Sequence, residues 1–481
     1  MTRSFLKDAA TMASAPLIIQ AMSFLLVPVI ARLYTPIHFG EFGVFIAAFS
    51  TILTLATLDY ANAIMVCRTD QEKSVLTGLS FSICAIGMGI LVFLYCINLI
   101  AKMMPHNLLP WQWLCFGLFL YGSHGVYNTL RYRCLNLALF SAIAGSSIAQ
   151  FLSNNFVVLI WPLFFAASAY GLIIGSLFGI FVQCCFLAGF LLFYVKPPLV
   201  SFNLNQMKDA AKRHRDFPFF SVPSNFISRV SIDAPIIILA IFFDQELVGY
   251  YLMTLRLLNM PLSLLSSSIG EVFFSRDSKL PDGDLPLLFR IYLILCFIGI
   301  FPLLTISYFG EEIVIFLLGN QWALSGFLIK YLIFLTILKF IFTPVHFVAV
   351  RLRLQKWTFI ANLLLALSQL GGMIYGGYFG NLELGLIVGT VLGGAFWICY
   401  SLSIFSLAGI TVHQTLKIIG LETILSVLML LGFSVINSYF NGIILFAMVI
   451  GFSLIFYIAR FVVSRELRNL CLDGYRHLFP N

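Results

Sequence analysis

The chain has 481 residues, of which 60% are hydrophobic and 10% are charged, and its mean hydropathy is +0.99. Soluble domains are about half apolar and about a quarter charged, so this composition excludes a water-soluble protein and indicates a membrane protein. The formal net charge of +8 does not indicate a nucleic-acid partner, because that role would need a folded basic surface with base-reading elements.

Apolar segments of about twenty residues follow one another along the chain, and a membrane-spanning helix needs about that length. We therefore predict an all-α, polytopic membrane protein with about fourteen transmembrane helices. In chain order the predicted spans are 12–31, 42–62, 76–100, 113–130, 139–161, 166–195, 218–243, 247–274, 288–309, 325–350, 357–379, 384–408, 416–436 and 443–463.

The basic residues orient these spans. If the N-terminus and every second connector share one side of the membrane, 22 of the 28 Lys and Arg residues lie on that side, and only Arg32 and Lys102 lie on the other. Cytoplasmic loops are enriched in Lys and Arg. Both chain ends are therefore predicted to lie in the cytoplasm, and the positive net charge is explained by topology.

Motifs from the first spans recur 207 to 220 residues later in the same order, which indicates an internal repeat. The matched features are Pro16 and Pro28 with Pro223 and Pro235, Phe39-Gly40-Glu41-Phe42 with Val248-Gly249-Tyr250-Tyr251, Arg131-Tyr132-Arg133 with Arg351-Leu352-Arg353, Gln150 with Gln369, and Gly171, Gly175 and Gly179 with Gly385, Gly389 and Gly393.

The repeat predicts two six-helix bundles, over residues 1–200 and 201–410, followed by two additional helices and a cytoplasmic tail over 411–481. Six is an even number of spans, so the two bundles insert in the same sense, as a parallel repeat about an axis along the membrane normal. Secondary transporters use this plan with a substrate site between the two halves.

Ionisable side chains inside the predicted spans mark a candidate site, because a charge at mid-membrane costs about 2.5–3.5 kcal/mol and normally faces a cavity or a partner. Span seven places Asn225, Arg229 and Asp233 on one stripe, since they recur every fourth residue. Span eight carries Arg256 and Asn259 on one face, and span ten carries Lys339 near its middle.

These six residues are the predicted binding residues of a cationic cavity for an anionic substrate. One alternative is that Arg229 and Asp233 only pair with each other, because they are four residues apart on one helix. Asp59 and Glu422 are predicted to have packing or snorkelling roles, and His124 is predicted to be a satisfied interior histidine.

No catalytic, metal or cofactor site is predicted. The ten cysteines are scattered, mostly in apolar segments, without the paired spacing of disulfide or metal sites. The chain lacks a GxSxG elbow, an HExxH motif and a Gly-rich phosphate loop followed by lysine. Transport would therefore use an ion gradient or the gradient of the substrate.

Three segments resemble a known family. They are Ala31-Arg-Leu-Tyr-Thr-Pro-Ile-His-Phe-Gly-Glu-Phe-Gly43, Arg215-Asp-Phe-Pro-Phe-Phe-Ser-Val-Pro223 and Leu318-Gly-Asn-Gln-Trp322, with Gly326 following the third. They are similar to motifs of the Wzx-type polysaccharide flippases of the multidrug/oligosaccharidyl-lipid/polysaccharide exporter superfamily. The resemblance extends over nearly the whole chain.

This resemblance implies a flippase that moves an undecaprenyl-diphosphate-linked oligosaccharide, such as an O-antigen unit of lipopolysaccharide, across the bacterial inner membrane. Its partners would be that substrate, membrane lipid and other polysaccharide-assembly membrane proteins. Two alternatives stay open: a multidrug exporter of the same superfamily, and a polytopic membrane enzyme such as a polymerase or a polyprenyl glycosyltransferase. The enzyme would need a large catalytic loop outside the membrane, and the predicted outer connectors are short.

Overall fold

The computed structural model describes residues 3–67, 69–101, 111–194, 200–259, 285–352 and 354–437, together with residues 451, 453, 457, 458 and 460. Every regular element within these residues is helical, and none of them lies in a strand. The prediction of an all-α protein is confirmed.

Seventeen helices are described, many of them long enough to cross a bilayer at 1.5 Å per residue. They are α1 (Arg3–Leu33), α2 (Pro36–Leu53), α3 (Tyr60–Ala63), α4 (Asp70–Ala101), α5 (Trp111–Asn136), α6 (Phe140–Phe164), α7 (Ala169–Tyr194), α8 (Leu204–Arg213), α9 (Val222–Phe242), α10 (245–259), α11 (Leu285–Tyr308), α12 (Gly310–Leu318), α13 (Ala323–Ile341), α14 (Thr343–Arg351), α15 (Gln355–Tyr378), α16 (Leu382–Leu407) and α17 (Val412–Asn437).

Eleven of the described helices are long and apolar enough to cross a membrane, and each coincides with one predicted span. The fourth predicted span is the helix α5, which carries more polar residues. The eighth span begins in α10 and continues beyond the described residues, and the fourteenth lies almost wholly outside them. The prediction of a polytopic protein with about fourteen spans agrees with this fold.

One predicted span ends earlier than expected, and another is divided into two helices. The second, predicted over 42–62, stops at Leu53, and the chain then turns through Leu58 and Asp59, whose φ angles of 44° and 60° are left-handed. The tenth, predicted over 325–350, is divided into α13 and α14. Pro344 lies in the first turn of α14, where its missing N–H is tolerated, whereas a proline inside a continuous helix would remove a hydrogen bond.

The repeated glycine motifs pack helix against helix. A Cβ on Gly175 of α7 would lie 2.6 Å from a methyl carbon of Val158 on α6. On the matching pair, a Cβ on Gly376 of α15 would lie 2.6 Å from the Cα of Gly385 on α16. Glycine therefore allows close helix packing at both of these contacts, as small residues do between membrane helices.

The described chain forms two compact units by packing. The first contains the described parts of residues 1–260, 314–328 and 369–389, and the second those of 261–313, 329–368 and 390–481. These units reflect packing, whereas the predicted bundles reflect repeated motifs, so the division at residues 200 and 410 stays a prediction.

Each unit has its own apolar core. Phe45 of α2 and Ile173 of α7 are fully buried in the first unit. In the second unit Tyr292, Phe342 and Phe405 pack as an aromatic cluster, and the Tyr292 hydroxyl donates to the carbonyl of Thr415 at 2.9 Å.

Candidate functional site

The polar stripe of span seven lies on α9, as the sequence predicts. A π-helical turn at Phe217–Ser221 precedes α9, where Pro218 and Pro223 interrupt regular backbone hydrogen bonding. Along the stripe Asn225 is exposed, the Arg229 side chain is 37% exposed and the Asp233 side chain is 3% exposed. The stripe therefore runs from an open end into the protein interior.

Asp233 is held by groups from two helices. The Arg229 Nε donates to the Asp233 Oδ2 at 2.7 Å. The Ser50 hydroxyl, from α2, donates to the same oxygen, and the hydroxyl of Thr51 lies 3.5 Å away from it. A buried carboxylate needs such partners, because its desolvation is costly. The intrahelical pair that the sequence left as an alternative is present, and it is anchored on α2.

Arg256 makes a corresponding contact with α1. Its Nη2 lies 3.5 Å from the hydroxyl of Ser23, a long hydrogen bond. Asn259, one turn further along α10, is exposed. Ser23 and Ser50 are thus the partners that sequence reasoning did not identify, although each is a hydroxyl within an apolar helix.

Lys339 lies on α13 in the second unit, and its side chain is exposed. On the same helix, the Lys330 ammonium lies 5.0 Å from the centre of the Tyr331 ring, as a cation–π contact. The arginines and Lys339 belong to separate units, so their grouping into one cavity stays a prediction.

Close glycine contacts, called here the glycine interlock, join the N-terminal ends of α2 and α10. A Cβ on Gly40 would lie 1.8 Å from the Gln245 carbonyl oxygen, and a Cβ on Gly249 would lie 1.9 Å from the Pro36 carbonyl oxygen. Both residue pairs, Gly40 with Gly249 and Pro36 with Gln245, are 209 positions apart. The contact is therefore reciprocal between the repeated motifs.

The turn after α12 packs beside the glycine interlock. The indole N–H of Trp322 donates to the Ala31 carbonyl at 2.7 Å, and the Trp322 ring packs edge-on against both Phe39 and Tyr250. These contacts join the end of α1, α2, α10 and the Asn320–Trp322 turn within the first unit.

A second polar cluster lies where α8 meets the segment before α4. The His214 Nε2 lies 3.2 Å from the Glu72 Oε1 and 3.9 Å from the Cys67 Sγ. Arg213 donates to the same Glu72 oxygen at 2.8 Å. Burial, with the Glu72 charge beside it, raises the pKa of the Cys67 thiol to about 11, so the thiol is protonated at neutral pH. Spacing along the chain did not reveal this grouping.

Three other ionisable residues, Glu422, Asp59 and His124, were also singled out in the sequence. Glu422, on α17, is buried and forms an ion pair with Arg460. Asp59 sits in the left-handed turn before α3. The ring of His124, on α5, packs at 6.3 Å from that of Tyr127. The ion pair of Glu422 fits the packing role predicted for it.

The fold defines the class of the protein: a multi-pass, all-α membrane protein. It is similar to the structure described as "Lipid II flippase MurJ, inward closed conformation", with a TM-score of 0.73 and 16% identity over 95% of this chain and 99% of that chain. It is also similar to an inward-facing multidrug resistance MATE family transporter of the MOP superfamily, with a TM-score of 0.53 and 14% identity over 85% of this chain and 98% of that chain. At these identities the likeness shows the fold.

The family follows from the sequence match. Residues 29–325 match the family model described as polysaccharide biosynthesis protein, and the chain belongs to this family. No curated protein matches the sequence. The predicted resemblance to Wzx-type flippases is confirmed by this match together with the fold.

Proposed function

We propose that the chain is a flippase that moves an undecaprenyl-diphosphate-linked oligosaccharide from the cytoplasmic to the periplasmic leaflet by alternating access. The family match and the transporter fold support a role in polysaccharide assembly. The substrate would be a building unit of a surface polysaccharide such as the O-antigen of lipopolysaccharide. A diphosphate is an anion that guanidinium groups bind through charge-assisted hydrogen bonds.

The position of Arg229 and Arg256 is the observation on which this proposal depends. The repeat matches α1 with α9 and α2 with α10, so the contacts α9–α2 and α10–α1 are related by that repeat. Arg229 reaches α2 through Asp233 and Ser50, and Arg256 reaches α1 through Ser23. Each of these two helix contacts thus involves an arginine that the sequence predicts to lie near the middle of the membrane.

A substrate role explains the exposure of Arg229 better than packing does. About a third of its side chain is exposed although the partner carboxylate is buried. A cation facing lipid at this depth would cost about 2.5–3.5 kcal/mol, so the exposed part should face a water-filled space. Asn225 and Asn259, both exposed, are proposed to hydrogen-bond the diphosphate or the sugars, and Lys339 is proposed as a third cation.

The glycine interlock supports alternating access. It brings the backbones of α2 and α10 together at the predicted outer end, where both Gly40 and Gly249 are buried. We propose that this contact closes the periplasmic side and separates when the substrate is released there. The substrate must also be bound weakly enough to be released. Polar groups that border a water-filled space, without enclosing the substrate, would allow this release.

Gln variants of Arg256 and Lys339 test the cavity. Arg256→Gln and Lys339→Gln remove the charge and keep a polar, shorter side chain, and each should lower glycan export at least about tenfold, equivalent to a loss of about 1.4 kcal/mol of binding. Export is measured at matched membrane abundance. Lys330→Gln, on the same helix as Lys339, is the matched control and should export normally. Normal export in both test variants would contradict a cationic cavity.

We also propose that the protein lies in the bacterial inner membrane with both ends in the cytoplasm, beside other polysaccharide-assembly membrane proteins. Reporter fusions after residues 205 and 355 should report cytoplasm, and fusions after residues 245 and 381 should report periplasm, because Lys and Arg cluster on the side of the first pair. A periplasmic signal from the fusion after residue 205 would reverse the orientation.

A multidrug exporter is the second candidate, and the similarity of the fold to a multidrug transporter favours it. A cationic drug would need acidic partners, whereas three of the four charged residues of the candidate site are basic. Drug resistance that is conferred by the wild-type chain and kept in Arg256→Gln would favour this alternative.

A further inference from the structure

Three side chains of metal-binding type converge beside α8. Cys67 follows the short 3-10 helix Ile64–Val66, Glu72 lies in the first turn of α4, and His214 follows α8. Their ligand atoms all lie within 4.8 Å of one another. Cys67 is 7% exposed, and the side chains of His214 and Glu72 are 13% and 17% exposed. The three donor atoms therefore face one another in a largely buried place.

The spacing of these atoms suits a tetrahedral ion. Zinc bonds sulfur at about 2.3 Å and imidazole nitrogen or carboxylate oxygen at about 2.0–2.2 Å, so a tetrahedron places S and N about 3.6 Å apart and N and O about 3.4 Å apart. The observed distances are 3.9 Å from the Cys67 Sγ to the His214 Nε2 and 3.2 Å from the His214 Nε2 to the Glu72 Oε1. Each of these two observed distances is within a few tenths of an ångström of the tetrahedral value, and small side-chain rotations would remove the mismatch.

The surroundings fit a bound cation. Ligating carboxylates are usually held by a further hydrogen bond, and Arg213 supplies one to Glu72. The Arg213 side chain is 67% exposed, so it is free to shift to the other carboxylate oxygen. The Tyr60 hydroxyl donates to the Ala211 carbonyl at 3.2 Å, which fixes the end of α8 against α3 beside the cluster.

We propose that Cys67, Glu72 and His214 bind one Zn²⁺ ion, with water in the fourth position. A thiolate, an imidazole and a carboxylate form a donor set typical of zinc. The ion would fasten the connector between predicted spans six and seven, which contains α8, to the segment between spans two and three. It would thereby restrict the motion of the connector between the two predicted halves on the predicted cytoplasmic side.

The test is a metal titration of the full-length protein, purified in detergent with a tag free of histidine and stripped with a chelator. Co²⁺ replaces zinc as the spectroscopic probe. We expect one equivalent to give a thiolate-to-cobalt charge-transfer band together with tetrahedral ligand-field bands, and Zn²⁺ to abolish both. Cys67→Ser should lose the charge-transfer band. Cys134→Ser, which removes another buried thiol, should keep it.

His214→Gln provides a second variant if Cys67→Ser is poorly folded, and it should weaken Co²⁺ binding at least about tenfold, as the loss of a single ligand does. Zn²⁺ should also raise the melting temperature of the wild-type and Cys134→Ser proteins, and at the same concentration it should raise that of His214→Gln by less. Lack of saturable binding by the wild-type protein, or an unchanged charge-transfer band in Cys67→Ser, would overturn the proposal and leave a hydrogen-bonded cluster.

Discussion

Replacing Gly40 with alanine should reduce glycan export by roughly tenfold or more, because the added methyl group would meet the Gln245 carbonyl at 1.8 Å. Real Cβ contacts are not that short, so α2 and α10 would have to separate by about an ångström at the interlock. Overpacking of this kind costs about 1–3 kcal/mol, and about 1.4 kcal/mol is a factor of ten in a population. The population of the conformation that is closed at the predicted periplasmic end should therefore fall. Export at matched abundance and the melting temperature in detergent are the measurements.

Gly249→Ala should have a similar effect, because its Cβ would meet the Pro36 carbonyl in the reciprocal contact. The control is Gly89→Ala on α4, where a Cβ would meet no atom within 4 Å. Alanine favours helix over glycine by up to about 1 kcal/mol, so this variant should be as stable as the wild type or more so. Wild-type export by both Gly40→Ala and Gly249→Ala would show that the helix ends do not need this close approach.

Replacing Arg229 with glutamine should lower the abundance of folded protein as well as export. Asp233 would keep its hydrogen bonds from Ser50 and Thr51 but would lose its counter-charge in a buried place. Breaking a buried ion pair by removing one partner costs about 3–5 kcal/mol in the free energy of unfolding. Because Arg229 is partly exposed, we expect a loss at the lower end of this range, about 3 kcal/mol. Membrane abundance and melting temperature measure this loss directly.

Asp233→Asn should cost less, because the partly exposed Arg229 can be solvated when its partner is neutral. The double variant Arg229→Gln/Asp233→Asn removes both charges and can keep a hydrogen bond between the two side chains. It should recover abundance and melting temperature close to the wild type, as expected for two residues in direct contact. If the double variant is less stable than Arg229→Gln alone, the two side chains do not form the pair described.

The main features of the fold could be predicted because membrane proteins obey strong constraints. Apolar length marks the spans, and the distribution of Lys and Arg orients them. The turn through Leu58 and Asp59 was not predicted, because the surrounding sequence is mostly apolar and contains no glycine or proline that would mark a left-handed turn. The division at Pro344 could have been predicted, since proline removes a backbone donor and restricts the residue before it.

The candidate site could be predicted only in part. Helical spacing placed Asn225, Arg229 and Asp233 on one stripe and suggested the ion pair. It could not identify Ser50 or Ser23 as partners, because these contacts join helices 183 and 233 residues apart in the chain.

The Cys67–Glu72–His214 cluster was missed for a similar reason. His214 is 142 residues from Glu72, and no local spacing motif connects them. The repeated Gly40 and Gly249 motifs were recognised in the sequence, but their direct contact required the structure.

The most direct test of the flippase proposal is glycan export by Arg229→Gln/Asp233→Asn at wild-type membrane abundance. This variant restores the charge balance of the buried pair, and Asp233→Asn alone reports the effect of losing the carboxylate. A defect larger than that of Asp233→Asn therefore reflects the missing guanidinium at the substrate rather than packing. We predict that surface polysaccharide stays at least about tenfold below the wild-type level and that the lipid-linked oligosaccharide accumulates in the cytoplasmic leaflet. Export equal to that of the wild type would contradict a substrate role for Arg229 and would leave it a structural partner of Asp233.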